Sequence, residues 1–308
     1  DLKVSLMPSD LALNCRNLCR EYYDLMDSRN AYVNKLIGEL RMVVPQYLGI
    51  FSKVTIDTSL ILLETYTSPS AFINADKQEI IDLIRSTARF GLTYACNKYN
   101  AIIQAATDAN QFGYIIESNI KRIRLYISFI RKYDEEINSI LESMHELVAA
   151  NEDTDFVKQI RLIETFKGAG FLSAMSLMGE IGDFSAFSKP KQLFAYFGLD
   201  PAVKQSGKFE GTKIQMSKRG SAIARRVIHT LALQSISTSR TGEAKNPVLR
   251  DYYLKKCESK PKLVAMGAVS HKVCNMIFAI LRDSKPFEII TPQEHIKKYN
   301  AAKCDVAA

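Results

Sequence analysis

The chain has 308 residues, 47% of them hydrophobic and 24% charged, and a formal net charge of +8. That length accommodates two domains, and the composition excludes gross disorder. With 14 Gly, 9 Pro and no Trp, a many-turned β-sandwich is excluded and long helices are favoured.

Apolar runs are broken by charge before eighteen residues, so no transmembrane helix and no membrane partner is expected. The opening residues have no charged-then-apolar pattern of a secretory signal. The charge is uneven. Residues 201–308 carry 20 Lys and Arg against 8 Asp and Glu, a net of +12, whereas residues 1–200 carry 21 against 25, a net of −4. A basic half of this kind either meets a polyanion or is a solvated face. The six cysteines, Cys15, Cys19, Cys96, Cys257, Cys274 and Cys304, are scattered. They read as free thiols in a reducing compartment, and no metal set is expected from them.

In chain order, Ser9 is a plausible N-cap. A four-three alternation then runs through Leu11, Cys15, Leu18, Tyr22, Leu25, Tyr32, Leu36, Leu40 and Val43, broken only by Arg29, and Pro45 ends it. A second stripe runs through Ile116, Ile120, Ile123, Ile127, Ile130, Ile137, Leu141, Met144 and Val148, broken only by Asp134. Repeats this long and narrow predict coiled-coil helices, arms of an antiparallel pair or a dimer seam, against the alternative that both face a globular core. Between them, Ser59–Thr65, Asp76–Phe90 and Leu92–Ala106 read as shorter helices, separated by Ser68-Pro69-Ser70 and by Gly91. The apolar-free run Asn151–Asp155 is a natural boundary. The predicted division is a linker at 1–9, a coiled-coil arm at 10–152, a helical domain at 153–290 and a tail at 291–308. The fold class is mainly α, with a short β-hairpin around Ser206 and a helix-hairpin-helix-like turn.

That turn is Phe166-Lys167-Gly168-Ala169-Gly170-Phe171, between a helix at Ile160–Phe166 and one at Leu172–Glu180. Glycines there let backbone N–H groups approach a phosphate, or simply let two helices pack. Further on, Ser217-Lys218-Arg219-Gly220-Ser221 opens a basic helix that continues through Arg225 and Arg226. Hydroxyls, backbone donors and guanidinium groups at one spot suit phosphate. Lys204 and Lys208 flank Gln205-Ser206-Gly207, where a serine near cations is either a nucleophile on phosphorus or a turn. His229 reads as a satisfied core or interface residue. His271, with Lys262 and Lys272, is a further phosphate candidate. Tyr252 and Tyr253 either stack on bases or pack between helices.

Taken together, Phe166–Gly170, Gly179–Asp183, Lys191–Pro201, Gln205–Lys208, Ser217–Gly220 with Arg225-Arg226, Asn246-Pro247 with Tyr252-Tyr253, and Lys260–Lys262 resemble, in order and spacing, the C-terminal domain of insertion-sequence family 110 transposases (the 110/116/902 group). The resemblance runs from Ile163 to Phe287, about two-fifths of the chain, and the helices before it are similar to the family's coiled-coil segment. It implies a DNA transposase or recombinase that mobilises an insertion sequence through a phosphoserine-type intermediate. Ser206 matches the family's serine nucleophile. Lys167, Gly168, Gly170, Lys204, Lys208, Ser217, Lys218, Arg219, Arg225, Arg226 and Lys262 are the expected nucleic-acid contacts. The resemblance also implies a structured guide RNA, a homo-oligomer (dimer or tetramer) through the coiled coil, and a prokaryotic, cytoplasmic, nucleoid-associated setting. Mg2+ belongs to the family's N-terminal RuvC-like acidic domain, which has no counterpart here, so Asp1 reads as a truncation point and no metal is expected in this chain. The alternative function is a non-catalytic nucleic-acid-binding or dimerisation fragment.

Overall fold

The computed structural model describes residues 8–88, 90–112, 117–202, 205–206, 209–210 and 216–297. In chain order the helices are α1 (Asp10–Val43), α2 (Asp57–Thr65), α3 (Pro69–Asn74), α4 (Lys77–Ala88), α5 (Leu92–Phe112), α6 (Glu117–Ala149), α7 (Asp155–Glu164), α8 (Phe171–Ile181), α9 (Pro190–Tyr196), α10 (Ala222–Ile236), α11 (Pro247–Cys257) and α12 (Lys262–Asp283). The chain divides into two compact units, 22–141 and 1–21 with 142–308, so α1 and α6 each contribute residues to both.

The start of α1 follows from its cap: the Ser9 Oγ accepts from the Ala12 N–H at 3.2 Å, satisfying one of the orphan donors of the first turn. Within the unit 22–141, α1 and α6 run antiparallel, since Arg29 meets Asp134 while Glu39, ten residues on, meets Arg122 and Asn119. The two polar residues that interrupt the apolar stripes are partners. Arg29 Nε and Nη2 donate to Asp134 Oδ1 and Oδ2 at 2.5 and 3.0 Å, a bidentate pair. The stripes themselves face inward. Leu36, Leu40 and Val43 share one apolar core with Ile123, Ile127 and Ile130, and with Leu60, Leu63, Phe72, Ile80 and Ile84 of the shorter helices. From Tyr32 to Val43 and from Ile120 to Ile130, the two stripes are thus met by a helical core within this unit. Ile116 lies outside the described residues.

The Ser68-Pro69-Ser70 run, expected as a separator, opens α3 instead. The Ser68 Oγ accepts from Ala71 N–H at 3.1 Å, and Pro69 takes the first helical position, where its missing N–H costs nothing. The helix α3 then packs on α5.

In the other unit, α7 begins earlier than its apolar pattern suggested, because Thr154 caps it by accepting from Val157 N–H. The helix α12 is long and apolar enough to cross a membrane by length and composition, contrary to expectation, but half of its apolar window is buried. Its buried face, Ala265, Val269, Val273, Ile277 and Leu281, recurs at helical spacing and packs against α7, α9, α10 and α11. It is the central core helix of this unit.

The expected β-hairpin is corrected. Pairing around Ser206 is confined to Gln205↔Glu210 and Ser206↔Phe209, two residues a side. Strands that short supply no sheet with an apolar face, and the fold class is mainly α among the described residues.

Candidate nucleic-acid interface

The site predicted from sequence centres on Ser206, and the structure describes both ends of the segment 201–216 that carries it. The incoming end follows α9, whose N-terminus is fixed by the Gln192 side chain accepting from the N–H groups of Ser188 and Lys189 at 2.8 and 3.0 Å. The outgoing end enters α10, capped by the Ser221 Oγ accepting from Ala224 N–H at 3.0 Å.

The two ends are tied side by side. Ser217 N–H donates to the Asp200 carbonyl at 2.8 Å and Lys218 N–H to the Gly198 carbonyl at 3.0 Å. Pro201 and Met216 form an antiparallel bridge just beyond. The Ser217 Oγ donates to Asp200 Oδ1 at 2.5 Å, the length of a charge-assisted hydroxyl–carboxylate bond. Arg225 Nη1 donates to the carbonyls of Phe197 and Gly220 at 3.0 and 2.6 Å.

Glycine is required where the two strands of chain cross. A Cβ on Gly220 would lie 1.9 Å from the Tyr196 carbonyl oxygen, and one on Gly198, at φ +67°, would lie 2.4 Å from Gly220 N. Lys218 has φ +55°, a left-handed conformation that a non-glycine residue holds only where its surroundings impose it.

Of the predicted contacts, Lys218, Arg219 and Arg226 are exposed at or just after this crossing. Ser217 and Arg225 also lie there, but with the donors named above engaged inside the chain. Gln205 and Ser206 are described in backbone only, and Lys204 and Lys208 lie outside the described residues. Lys167, Gly168 and Gly170 lie on the turn between α7 and α8. Gly168, at φ +104°, sits so close to α10 that a Cβ would meet Gln234 Oε1 at 2.8 Å. That packing contact accounts for one glycine of the turn without any ligand. Gly170 is the residue before α8, has open space around its Cα, and Lys167 beside it is exposed. Lys262 is exposed at the first turn of α12.

His271 stands edge-on to Phe194 at 4.5 Å between ring centroids. Burial first, then the charges of Lys272 and Lys191, lower its pKa below the ordinary imidazole value. His229, expected in a core or interface, is exposed on α10. Tyr252 carries the ammonium groups of Lys256 and Lys272 over its ring, at 5.4 and 5.6 Å from the centroid, so both cations are held by helix packing.

Sequence reasoning missed two supports of this unit. Arg16 Nε donates to the Gly179 carbonyl at 2.8 Å, and Arg20 grips the buried Glu180 with two bonds of 2.8 and 3.0 Å. Their spacing in α1 (i, i+4) was the available signal. The Tyr196 hydroxyl donates to the Glu180 carbonyl at 3.1 Å, linking α8 to the chain crossing.

Among the described residues, no group of three or more His, Cys, Asp or Glu side chains is placed to hold a metal ion. Burial pushes the Cys15 thiol up to about 11 and those of Cys19 and Cys274 to about 12, which removes them as thiolate ligands or nucleophiles at neutral pH.

The fold and site define a helical protein with a glycine crossing that presents cations beside a serine-bearing segment. Residues 160–254, which contain the whole crossing, match the family described as Transposase IS116/IS110/IS902. It is similar to the transposase for insertion sequence element IS1111A of Coxiella burnetii, at 33% identity over 104 residues, which is 34% of this chain and 26% of that protein. It is also similar to the insertion element IS110 uncharacterized 43.6 kDa protein of Streptomyces coelicolor, at 23% identity over 236 residues, 75% of this chain and 53% of that protein. The chain therefore spans about half or less of the length of these curated relatives.

Proposed function

We propose that this chain is the helical and serine-bearing part of a DNA transposase that cuts and rejoins strands through Ser206. The observation that carries the reading is the family match over 160–254, which encloses Ser206. The exposed Lys167, Lys218, Arg219, Arg226 and Lys262 and the +12 charge of residues 201–308 suit a phosphate backbone. Lys204, Lys208, Gly168 and Gly170 complete the proposed contacts.

In the proposed step the Ser206 Oγ bonds to phosphorus as the bond from phosphorus to a deoxyribose oxygen breaks. The serine proton ends, through whatever base carries it, on the departing oxygen, and the phosphodiester is conserved as a protein–DNA ester ready for rejoining. A serine hydroxyl needs activation, and this chain offers cations but no histidine–carboxylate pair near Ser206 in sequence. The resemblance assigns that part to Mg2+ on a RuvC-like acidic domain. The described residues here contain no carboxylate cluster fit to hold the ion. The same reading extends to a structured guide RNA, to a homo-oligomer and to a cytoplasmic setting.

The test uses the intact protein with its acidic domain. Wild type should give a DNA–protein adduct that survives denaturing electrophoresis. Ser206→Ala should abolish the adduct while DNA binding persists with its steep loss between roughly 50 and 200 mM salt, because one hydroxyl contributes little to a multi-phosphate interface. An adduct that survives Ser206→Ala removes Ser206 from the mechanism. No adduct from the wild type, with binding retained, leaves a nucleic-acid-binding module.

A further inference from the structure

We propose that Asp200, Ser217 and Arg225 are positioning residues: together they lock the two ends of the segment 201–216 into one rigid base, and the placement of Ser206 depends on that base. The inference rests on the reading of Ser206 as nucleophile. It reassigns Ser217 and Arg225 from phosphate contacts to the framework behind the reacting group.

Three independent features fix the base. The first is steric: at the crossing of Gly198 and Gly220 neither residue tolerates a Cβ, whose nearest neighbours would lie at 2.4 and 1.9 Å. The second is a guanidinium clamp. Arg225 bonds with one nitrogen to a carbonyl on each side, Phe197 on the incoming chain and Gly220 on the outgoing one. An ammonium in its place would be a compact point charge on a flexible stem without the planar fork of donors. The third is the latch from Ser217 Oγ to Asp200 Oδ1 at 2.5 Å, reinforced by the backbone bond between the same two residues at 2.8 Å. Beyond the latch the chain is paired once more, at Pro201↔Met216. All of these groups lie on 196–225, within the family segment, and every one of them is engaged before any ligand arrives. Held this way, the ends of the segment lose the freedom that would otherwise blur the nucleophile's position. A misplacement of about 1 Å at a reacting atom costs on the order of 100-fold in rate.

The experiment separates rate from affinity in the intact protein. At saturating DNA, Ser217→Ala should slow adduct formation about 10- to 100-fold and leave DNA affinity within about threefold, the loss a single neutral contact allows. Ser217→Thr, which keeps the hydroxyl, should recover most of the rate. Asp200→Asn should slow the reaction similarly, and the double variant Asp200→Asn/Ser217→Ala should be no slower than the worse single one, the mark of two groups acting through one contact. Affinity falling in step with rate would return Ser217 to the phosphate contacts. An unchanged rate in Ser217→Ala, or no recovery in Ser217→Thr, would equally overturn the assignment.

A second readout uses this chain by itself and does not need chemistry. Trypsin should cut after Lys204, Lys208 or Lys213 several-fold faster in Ser217→Ala than in wild type or Ser217→Thr, at an unchanged melting temperature. Faster cutting together with an adduct that survives Ser206→Ala would mean that the base is real and the nucleophile wrongly chosen. Equal cutting in all three variants would mean that the latch does not hold the segment.

Discussion

The unit 22–141 and the chain crossing at 196–225 spend polar groups in opposite ways. In the first, cations meet carboxylates between helices: Arg29 with Asp134, Arg131 with Glu64 at 2.6 Å, and Arg122 with the buried Glu39 at 2.8 Å. In the second, the fixing bonds run from a guanidinium to backbone carbonyls and from a hydroxyl to one carboxylate. Lys218 and Arg219 stay exposed there, with no ion pair to another described residue. Matched charge between packed helices is the pattern of a scaffold. A framework fixed by its own chain, with cations left at its surface, is what the proposed phosphate contacts would use.

The sharpest way to break the comparison is to put charge into the scaffold. Ile123 and Ile130 are fully buried in the core shared by α1 and α6. Replacing both with Asp should cost at least about 3 kcal/mol per site, since a buried carboxylate without a partner must stay neutral or open the core. Chemical denaturation followed by circular dichroism should show the unit 22–141 unfolded or its midpoint sharply lowered. An unchanged midpoint would mean that the stripe does not face the core.

Smaller in size, and confined to the crossing, is the effect of Gly220→Ala. The added methyl must displace the Tyr196 carbonyl, and overpacking of this kind costs about 3 kcal/mol. Gly267, inside α12 with open space around its Cα, is the control: Gly267→Ala should be neutral or stabilise by up to about 1 kcal/mol, through helix propensity. Differential scanning calorimetry on both variants checks the contrast. Equal melting temperatures would remove the crossing as a tight element.

How far the fold could be read depended on the range of the interaction. The stripes of α1 and α6 were legible because helical burial repeats every three to four residues. Even their two exceptions, Arg29 and Asp134, were visible as interruptions, but their pairing was not, since they are 105 residues apart. The helix α3 was hidden because Ser68-Pro69 serves equally as a breaker and as an N-terminus. The basic character of Ser217–Arg226 was legible as composition. The engagement of Ser217 and Arg225 was not, because their acceptors, Asp200 and the Phe197 carbonyl, are brought near only by the crossing at Gly198 and Gly220. The long apolar run of α12 looked shorter from sequence than it is, since Lys272 and His271 interrupt it in composition while lying off its buried face.

The smallest expected effect tests the edge of the site through His271. Its imidazole is half-buried against Phe194, and burial, then Lys272 and Lys191, all disfavour the protonated form. The folded-state pKa therefore lies below the ordinary value of about 6.5. Between the two values the unfolded chain binds the proton more readily than the folded one, so stability rises with pH in that window and is lost as pH falls from above 6.5 toward the folded pKa. The contribution is fully present above pH 6.5. His271→Gln removes the titration but keeps a polar side chain. Melting temperatures measured at pH 7.5 and pH 5.0 should fall more for the wild type than for His271→Gln, while His145, His229 and His295, common to both proteins, cancel in the difference. Parallel falls would mean that His271 is already as well solvated folded as unfolded, and that its surroundings, Lys191 and Lys272 included, exert no net field on it. A steeper fall in the wild type places a neutral imidazole beside two lysines at neutral pH, and an approaching phosphate would then draw a proton onto it, because anion binding raises the pKa that burial and the lysines hold down.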